Sequence, residues 1–299
     1  MELCATSGYK LDVIGPEKKA SIRTLKQRLS GLQPFLDLAK KGFARLGLPD
    51  ACFRVQIHDE CPEESCFCFD APASCESSVS ELLIPDPYAL GSEGFKSLQM
   101  LFKEQPLPPW RQRVGMAIWR GSSTGFNNLT NANIKSNLRY QLCLKSHHYS
   151  HLLDAKITSL VQAKDIKEEA NLIQQMIALD LLSDRLNPRE LALHRWIIEI
   201  DGNVNSWGLL WKLMSGSCVV KVDSIRIQWY HKRLKEWVHY VPVNSDLSNL
   251  EEILDWCISN PNACEEIAKS GRSIAYKVIN EMHEDQLNAV RNYAKRIKH

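Results

Sequence analysis

The second half of the chain alternates short apolar runs with amphipathic ones, and that rhythm restricts the fold more than any other feature. VGMAIW (114–119), HRWIIEID (194–201), SCVVKV (217–222) and WVHYVPV (237–243) read as strands. NIKSNLRYQLCLKS (133–146), ITSLVQAKDIKEEANLIQQMIALDLL (157–182), SWGLLWKLM (206–214) and the stretch after Asn260-Pro261 read as helices. Ser248-Asn249-Leu250-Glu251 fits a capping box ahead of a further helix. Strands that alternate with helices form a parallel sheet covered on its faces, an α/β fold. In open sheets of that kind, ligands bind beyond the carboxyl ends of the strands. The loops at 120–125, 201–206, 223–228 and 244–248 all follow proposed strands, so the candidate site lies there.

The first half reads differently. Ile22, Leu25, Leu29, Leu32, Leu36, Ala39, Phe43 and Leu46 recur at spacings of three and four, one face of a helix over 17–47. Gly31 and Pro34 are expected to break or kink it. Its other face is basic, either plain solvated surface or a contact for an acidic acceptor or an anionic membrane. ACFRVQIH (51–58) alternates like a strand and runs into Asp59-Glu60-Cys61-Pro62; CFCF (66–69) reads as a second short strand. The proline-rich 73–110, ending in PLPPW, suits a domain crossing. With 299 residues, the chain divides into two expected domains, 1–112 and 113–299, the last helix returning to the first.

Several function classes recede on composition. A net charge of +2 does not suit a dedicated nucleic-acid binder. No run approaches the roughly 20 apolar residues of a membrane span, and the first residues lack the apolar stretch of a signal peptide. The clustered Cys52, Cys61, Cys66, Cys68 and Cys75 have no zinc-finger or ribbon spacing, so no metal is expected. Reduced thiols and a cytoplasmic location are expected instead.

WRGSSTG (119–125) carries the chemistry. Arg120 offers a planar five-donor fork suited to phosphate. Gly121 and Gly125 permit close backbone approach, and Ser122, Ser123 and Thr124 add hydroxyls. The stretch is not a P-loop, because the G-x4-G-K-[ST] pattern is absent.

Together with IDGNVNSWGLLWKLMSGSCVVKVDS (200–224) and QWYHKRLKEWVHYVPVNSDLSNLEE (228–252), that loop resembles glycosyltransferase family 90. The family includes animal protein O-glucosyltransferases, fungal capsule-related xylosyltransferases and bacterial lipopolysaccharide-modifying transferases. The resemblance runs from about residue 52 to about residue 280. It implies a GT-B fold, two Rossmann-like domains facing a cleft. It further implies a nucleotide-sugar donor, usually a UDP-sugar, and transfer with inversion, without cofactor or required metal. By position, Arg120, Gly121, Ser122 and Thr124 match the family's R-G-[ST]-x-[TS] donor loop, and Asp201 and Gly202 its D-G segment. Ser206 precedes a helix whose N-terminus should face the diphosphate. Gln228 stands where the family usually has Glu, and Gly208 where animal members carry a phosphate-binding Arg. Lys212, Lys221 and Arg226 are the candidate replacements for that missing charge. Asp59 matches the general base, with His58 and Glu60 as alternatives.

The expectation is therefore a glycosyltransferase acting on a glycan or protein hydroxyl, without nucleic acid and at most peripheral to a membrane. A cytoplasmic lipopolysaccharide or surface-glycan acceptor fits the absent export signal. The rival is a nucleotide-sugar-binding protein without catalysis, supported by Gly208 and Gln228 in place of charged residues.

Overall fold

The computed structural model of the chain describes residues 2–4, 22–57 and 66–298. In chain order the first elements are β1 (Glu2–Cys4), α1 (Ile22–Arg45), β2 (Cys52–Arg54), β3 (Ala71–Pro72), α2 (Ser77–Ser80), α3 (Pro87–Gly91) and α4 (Lys96–Glu104). Then come β4 (Val114–Ser122), α5 (Leu138–His148), β5 (Leu153–Ser159), α6 (Ile166–Ala178), α7 (Pro188–Leu191), β6 (His194–Glu199) and α8 (Leu209–Met214). The chain closes with β7 (Cys218–Val222), β8 (Arg226–Ile227), β9 (Val241–Val243), α9 (Leu250–Ser259) and α10 (Pro261–Ile297).

These elements form two compact units, and neither is a continuous stretch. Unit 1 comprises Met1–Ser97, Ile225–Lys232 and Lys277–His299; unit 2 comprises Leu98–Ser224 and Arg233–Tyr276. The units therefore differ from the expected division at residue 112. Trp110 explains the earlier crossing: it is buried in the sheet's core with its ring edge-on to Trp196, 5.9 Å between centroids.

Unit 2 is built on a five-stranded sheet in the order β5-β4-β6-β7-β9, every pair parallel. Strands buried on both faces are largely apolar, as β7 is but for Lys221. One element differs from the sequence reading: 157–182 is not a single helix, because β5 takes Ile157–Ser159 and α6 starts only at Ile166. Leu153, Ala155 and Ile157 are buried while Asp154 and Lys156 are not, the two-residue alternation of a strand. Asp165 accepts from the Glu168 amide at 2.9 Å and caps α6. Likewise only 241–243 of WVHYVPV is strand, and Asn249 caps α9 without a side-chain bond.

Unit 1 packs α1 and the end of α10 around an aromatic core. Phe67 and the Tyr293 ring stack at 4.8 Å, and Phe35 meets Phe67 edge-on at 4.9 Å. Gly31 and Pro34 do not interrupt α1, which runs unbroken. A Cβ on Gly31 would stand 2.3 Å from the Pro87 carbonyl oxygen, so the glycine serves the crossing with α3. Of the expected strand at 51–58, Cys52–Arg54 forms, antiparallel to β1; CFCF contributes only isolated bridges. The expectation of uniformly reduced cysteines is corrected: Cys52 is disulfide-bonded. Cys143, Cys218, Cys257 and Cys264 are free and buried. Among the described residues no helix is long and apolar enough to cross a membrane.

Candidate functional site

Numbered from β4, the sheet order reads 2-1-3-4-5, so its strand order reverses between β4 and β6. A crevice opens beyond the strand ends at such a reversal. The loop after β4 and the loop after β6 leave the sheet side by side there. The register against β5 shifts between Gly121 and Ser122, a bulge at the start of the first loop. Ser123, fully buried, anchors it by donating to the Val161 carbonyl at 3.0 Å and accepting from the Val161 amide at 2.8 Å.

The two loops touch through glycine. A Cβ on Gly202 would lie 2.5 Å from Thr124 Oγ1, and one on Gly125 3.2 Å from the Gly202 carbonyl oxygen. Gly125 has φ +113° and donates its amide to Asn203 Oδ1 at 3.0 Å. Gly121 is closed to any side chain, since a Cβ there would meet the Trp119 ring at 2.5 Å. Gly121, Ser122, Thr124, Asp201, Gly202 and Ser206 thus belong to one connected pair of loops.

Arg139 ties them together, and sequence reasoning missed it. Its Nε donates to the Asp201 carbonyl at 2.9 Å and its Nη2 to the Ile200 carbonyl at 3.1 Å. Its Nη1 donates to the Ser122 carbonyl at 3.0 Å and to Thr124 Oγ1 at 2.7 Å. The guanidinium also lies 5.5 Å over the Trp119 ring. Burial lowers its pKa, opposed by the nearby Glu199 and Asp201 carboxylates. One signal was present in the sequence: Arg139 stands in the first turn of α5, where the helix dipole disfavours a cation. A cation in that place needs compensating partners.

Asp201 organises the other side. Its Oδ1 accepts from the Ser206 amide at 3.2 Å; its Oδ2 accepts from the Ser224 hydroxyl and from Asn205 Nδ2. Ser206 Oγ in turn accepts from the Gly208 amide at 3.3 Å. The carboxylate shapes the turn into α8.

Arg120 is engaged within the sheet. Its Nη2 meets Asp154 Oδ2 at 2.6 Å, and its Nη1 donates to the carbonyls of Asp154 and Trp119, each at 2.9 Å. Its side chain is 11% exposed. The fork is held by a carboxylate across the β4–β5 edge. Of the three candidate replacements for the missing family arginine, Lys212 pairs with Glu199 and Arg226 with Asp70. Lys221 donates to the Val222 carbonyl at 3.3 Å and sits 5.6 Å over the Tyr240 ring.

Gln228 belongs to unit 1, beside the short β3–β8 ladder. It is 2% exposed. Its Oε1 accepts from the Tyr230 hydroxyl at 2.6 Å, while its Nε2 is buried without a hydrogen-bond partner. Buried donors are nearly always satisfied, so an orphaned amide points to a missing acceptor. Asp59, His58 and Glu60 lie outside the described residues. Among the described residues no group of three or more side chains is arranged to hold a metal ion.

A sequence profile of glycosyl transferase family 90 matches residues 94–298. An uncharacterised protein of Invertebrate iridescent virus 3 is 33% identical over 165 residues, 54% of this chain and 15% of that protein. Mouse protein O-glucosyltransferase 1 is 28% identical over 62% of this chain and 43% of its own. Protein O-glucosyltransferase 2 of Danio rerio is 25% identical over 82% of this chain and 47% of its own. The chain thus spans less than half the length of these relatives. Among solved structures, Anabaena HepE in complex with UDP-glucose aligns with a TM-score of 0.40 at 12% identity, over 68% of this chain and 52% of that one.

Proposed function

The chain belongs to glycosyl transferase family 90, and from that membership we propose that it transfers a sugar from a UDP-sugar to a hydroxyl acceptor with inversion. The observation that supports this most is the pair of glycine-bearing loops clamped by Arg139 where the strand order reverses. A nucleoside diphosphate leaving group carries charge that backbone amides and a fixed guanidinium neutralise without a metal. In this proposal the loop amides contact the diphosphate. Arg139 supplies positive potential from behind them, and Arg120 supports β4 instead of the phosphates.

In a GT-B-like arrangement, unit 2 is the donor-binding lobe. The segment with Asp59 belongs to the acceptor lobe, where the carboxylate removes the acceptor's proton as its oxygen attacks the sugar's C1. The Gln228 amide finds its acceptor on a ribose or sugar hydroxyl. The acceptor is a glycan or protein hydroxyl. The disulfide at Cys52 removes the reduced-thiol ground for a cytoplasmic surface-glycan precursor, so both acceptor classes belong in the assay.

The test is calorimetric titration with UDP, GDP and CMP, followed by UDP release from UDP-sugars with glycan and protein acceptors. Selective UDP binding with acceptor-dependent release of UDP is expected. Binding without release would leave a nucleotide-sugar-binding protein; no binding of any nucleotide would end the proposal.

A further inference from the structure

Unit 1 contains a groove that shares no residue with the donor loops. It lies along one stripe of α1, the end of α3 and the second half of α10, and encloses about 460 Å³. That volume falls within the roughly 300–1,000 Å³ of small-molecule sites. Pro34, Leu38, Leu90, Met282 and Leu287 supply an apolar lining.

Its charges are unequally matched. Of the two acidic residues at the rim, Asp37 accepts from Gln33 at 2.9 Å and Glu93 pairs with Lys96 at 3.1 Å. The basic residues there, Lys41, Arg45 and His283, have no ion-pair or hydrogen-bond partner among the described residues. Lys41 and Arg45 are four residues apart on α1 and so project from one face. The groove thus joins an apolar floor to an edge where Lys41 and Arg45 have no ion-pair partner among the described residues.

A peptide occupant would need partners for its backbone amides and carbonyls. The apolar floor offers almost none, and the buried polar side chain beside it, Gln286, already donates to the Met282 carbonyl at 3.1 Å. Hydrocarbon has no such need. We propose that this groove binds a single-chain amphiphile with an anionic head, the chain on the Leu38–Met282 floor and the head between Lys41 and Arg45. The site shares no residue with the donor loops and does not depend on the sugar-transfer proposal.

Dodecyl phosphate, titrated below its micelle threshold and followed by calorimetry and by the methyl resonances of Leu38 and Met282, tests the assignment. Saturable 1:1 binding is expected with shifts at those methyls. Inorganic phosphate and dodecyl maltoside should bind at least about tenfold more weakly, since each lacks half of the ligand. Lys41→Gln combined with Arg45→Gln, both exposed positions, should weaken binding by about tenfold or more without moving Tm. Leu38→Gln should weaken it through the floor. Absence of saturable binding, equal affinity for the neutral maltoside, or an unchanged double variant would overturn the site. Capture by phosphatidylglycerol vesicles without binding of the monomeric amphiphile would reassign the basic face to membrane adsorption and overturn it too. UDP titration of the same variants should be unchanged, so the groove and the donor site stand or fall separately.

Discussion

The loops after β4 and β6 and the segment around Gln228 are both matched to the donor by family position, yet they differ in how fully their polar groups are satisfied, the buried Arg120 Nε being the loops' own unpartnered exception. In the loops nearly every side chain already has a protein partner: Ser123 with Val161, Thr124 with Arg139, Asp201 with Ser206 and Ser224, Arg120 with Asp154. At Gln228 a buried amide has none. The first pattern belongs to a scaffold that fixes backbone in advance. In the proposed reading, the second belongs to a side chain whose partner is a ligand. Preorganised backbone donors need no rearrangement when charge develops on a leaving group, which is where such donors contribute most.

The widest separation between scaffold and chemistry should come from Asp59→Asn. If Asp59 is the general base, its loss should lower turnover by about 10²–10⁴-fold while UDP affinity in the scaffold is unchanged. Single-turnover kinetics beside UDP calorimetry measure both. Parallel loss of UDP binding would make Asp59 structural.

Arg139→Met should rank next, and it strikes the scaffold itself. It would orphan three carbonyls and the Thr124 hydroxyl, each a cost of about 1–3 kcal/mol where buried. A stability loss of at least about 3 kcal/mol is expected in urea unfolding, with UDP binding lost under conditions where the variant remains folded. Arg139→Lys keeps the charge but not the fork. If the geometry of the loops matters more than the charge, the lysine variant should fold yet bind UDP poorly. A lysine variant with ordinary UDP affinity would sink the clamp.

Legibility in the sequence divides along the same line. The parallel sheet was legible because largely apolar runs such as Cys218–Val222, interrupted only by Lys221, have few other folds open to them. The meeting of the 120–125 and 201–206 loops was legible because both come directly after strands. The strand at Ile157 was not, since its apolar residues also continue the helical spacing of α6. Nor was the direction of Arg120: a motif names the residue, but the register against β5 sets its neighbour, and that neighbour is Asp154. Arg139 was hidden because its acceptors are mainly backbone carbonyls, which leave no mark in a sequence.

The Arg120–Asp154 pair allows a finer test of that register. With side chains 11% and 33% exposed, the pair is better shielded than a surface salt bridge. A double-mutant cycle of Arg120→Met and Asp154→Asn should give a coupling of about 1–2 kcal/mol in stability. UDP affinity should change less in Arg120→Met than in Arg139→Met. A larger loss of UDP binding from Arg120→Met would return its guanidinium to the phosphates and move the site toward the β4–β5 edge.

Gln228→Met should have the smallest effect on the protein and a specific effect on the ligand. The substitution removes an unsatisfied Nε2, a gain, and takes an acceptor from the Tyr230 hydroxyl, a loss. The two nearly offset, so stability should move by less than about 1 kcal/mol. A donor hydroxyl that normally accepts from Nε2 would lose one hydrogen bond, about 0.5–1.5 kcal/mol, and UDP-sugar affinity should fall by up to about tenfold. Comparing UDP with the intact UDP-sugar then locates the acceptor: equal losses assign it to the ribose, and a loss for the UDP-sugar alone assigns it to the transferred sugar. If neither affinity moves, the orphaned amide is a cost of packing β8, and the contrast between scaffold and waiting side chain fails at Gln228.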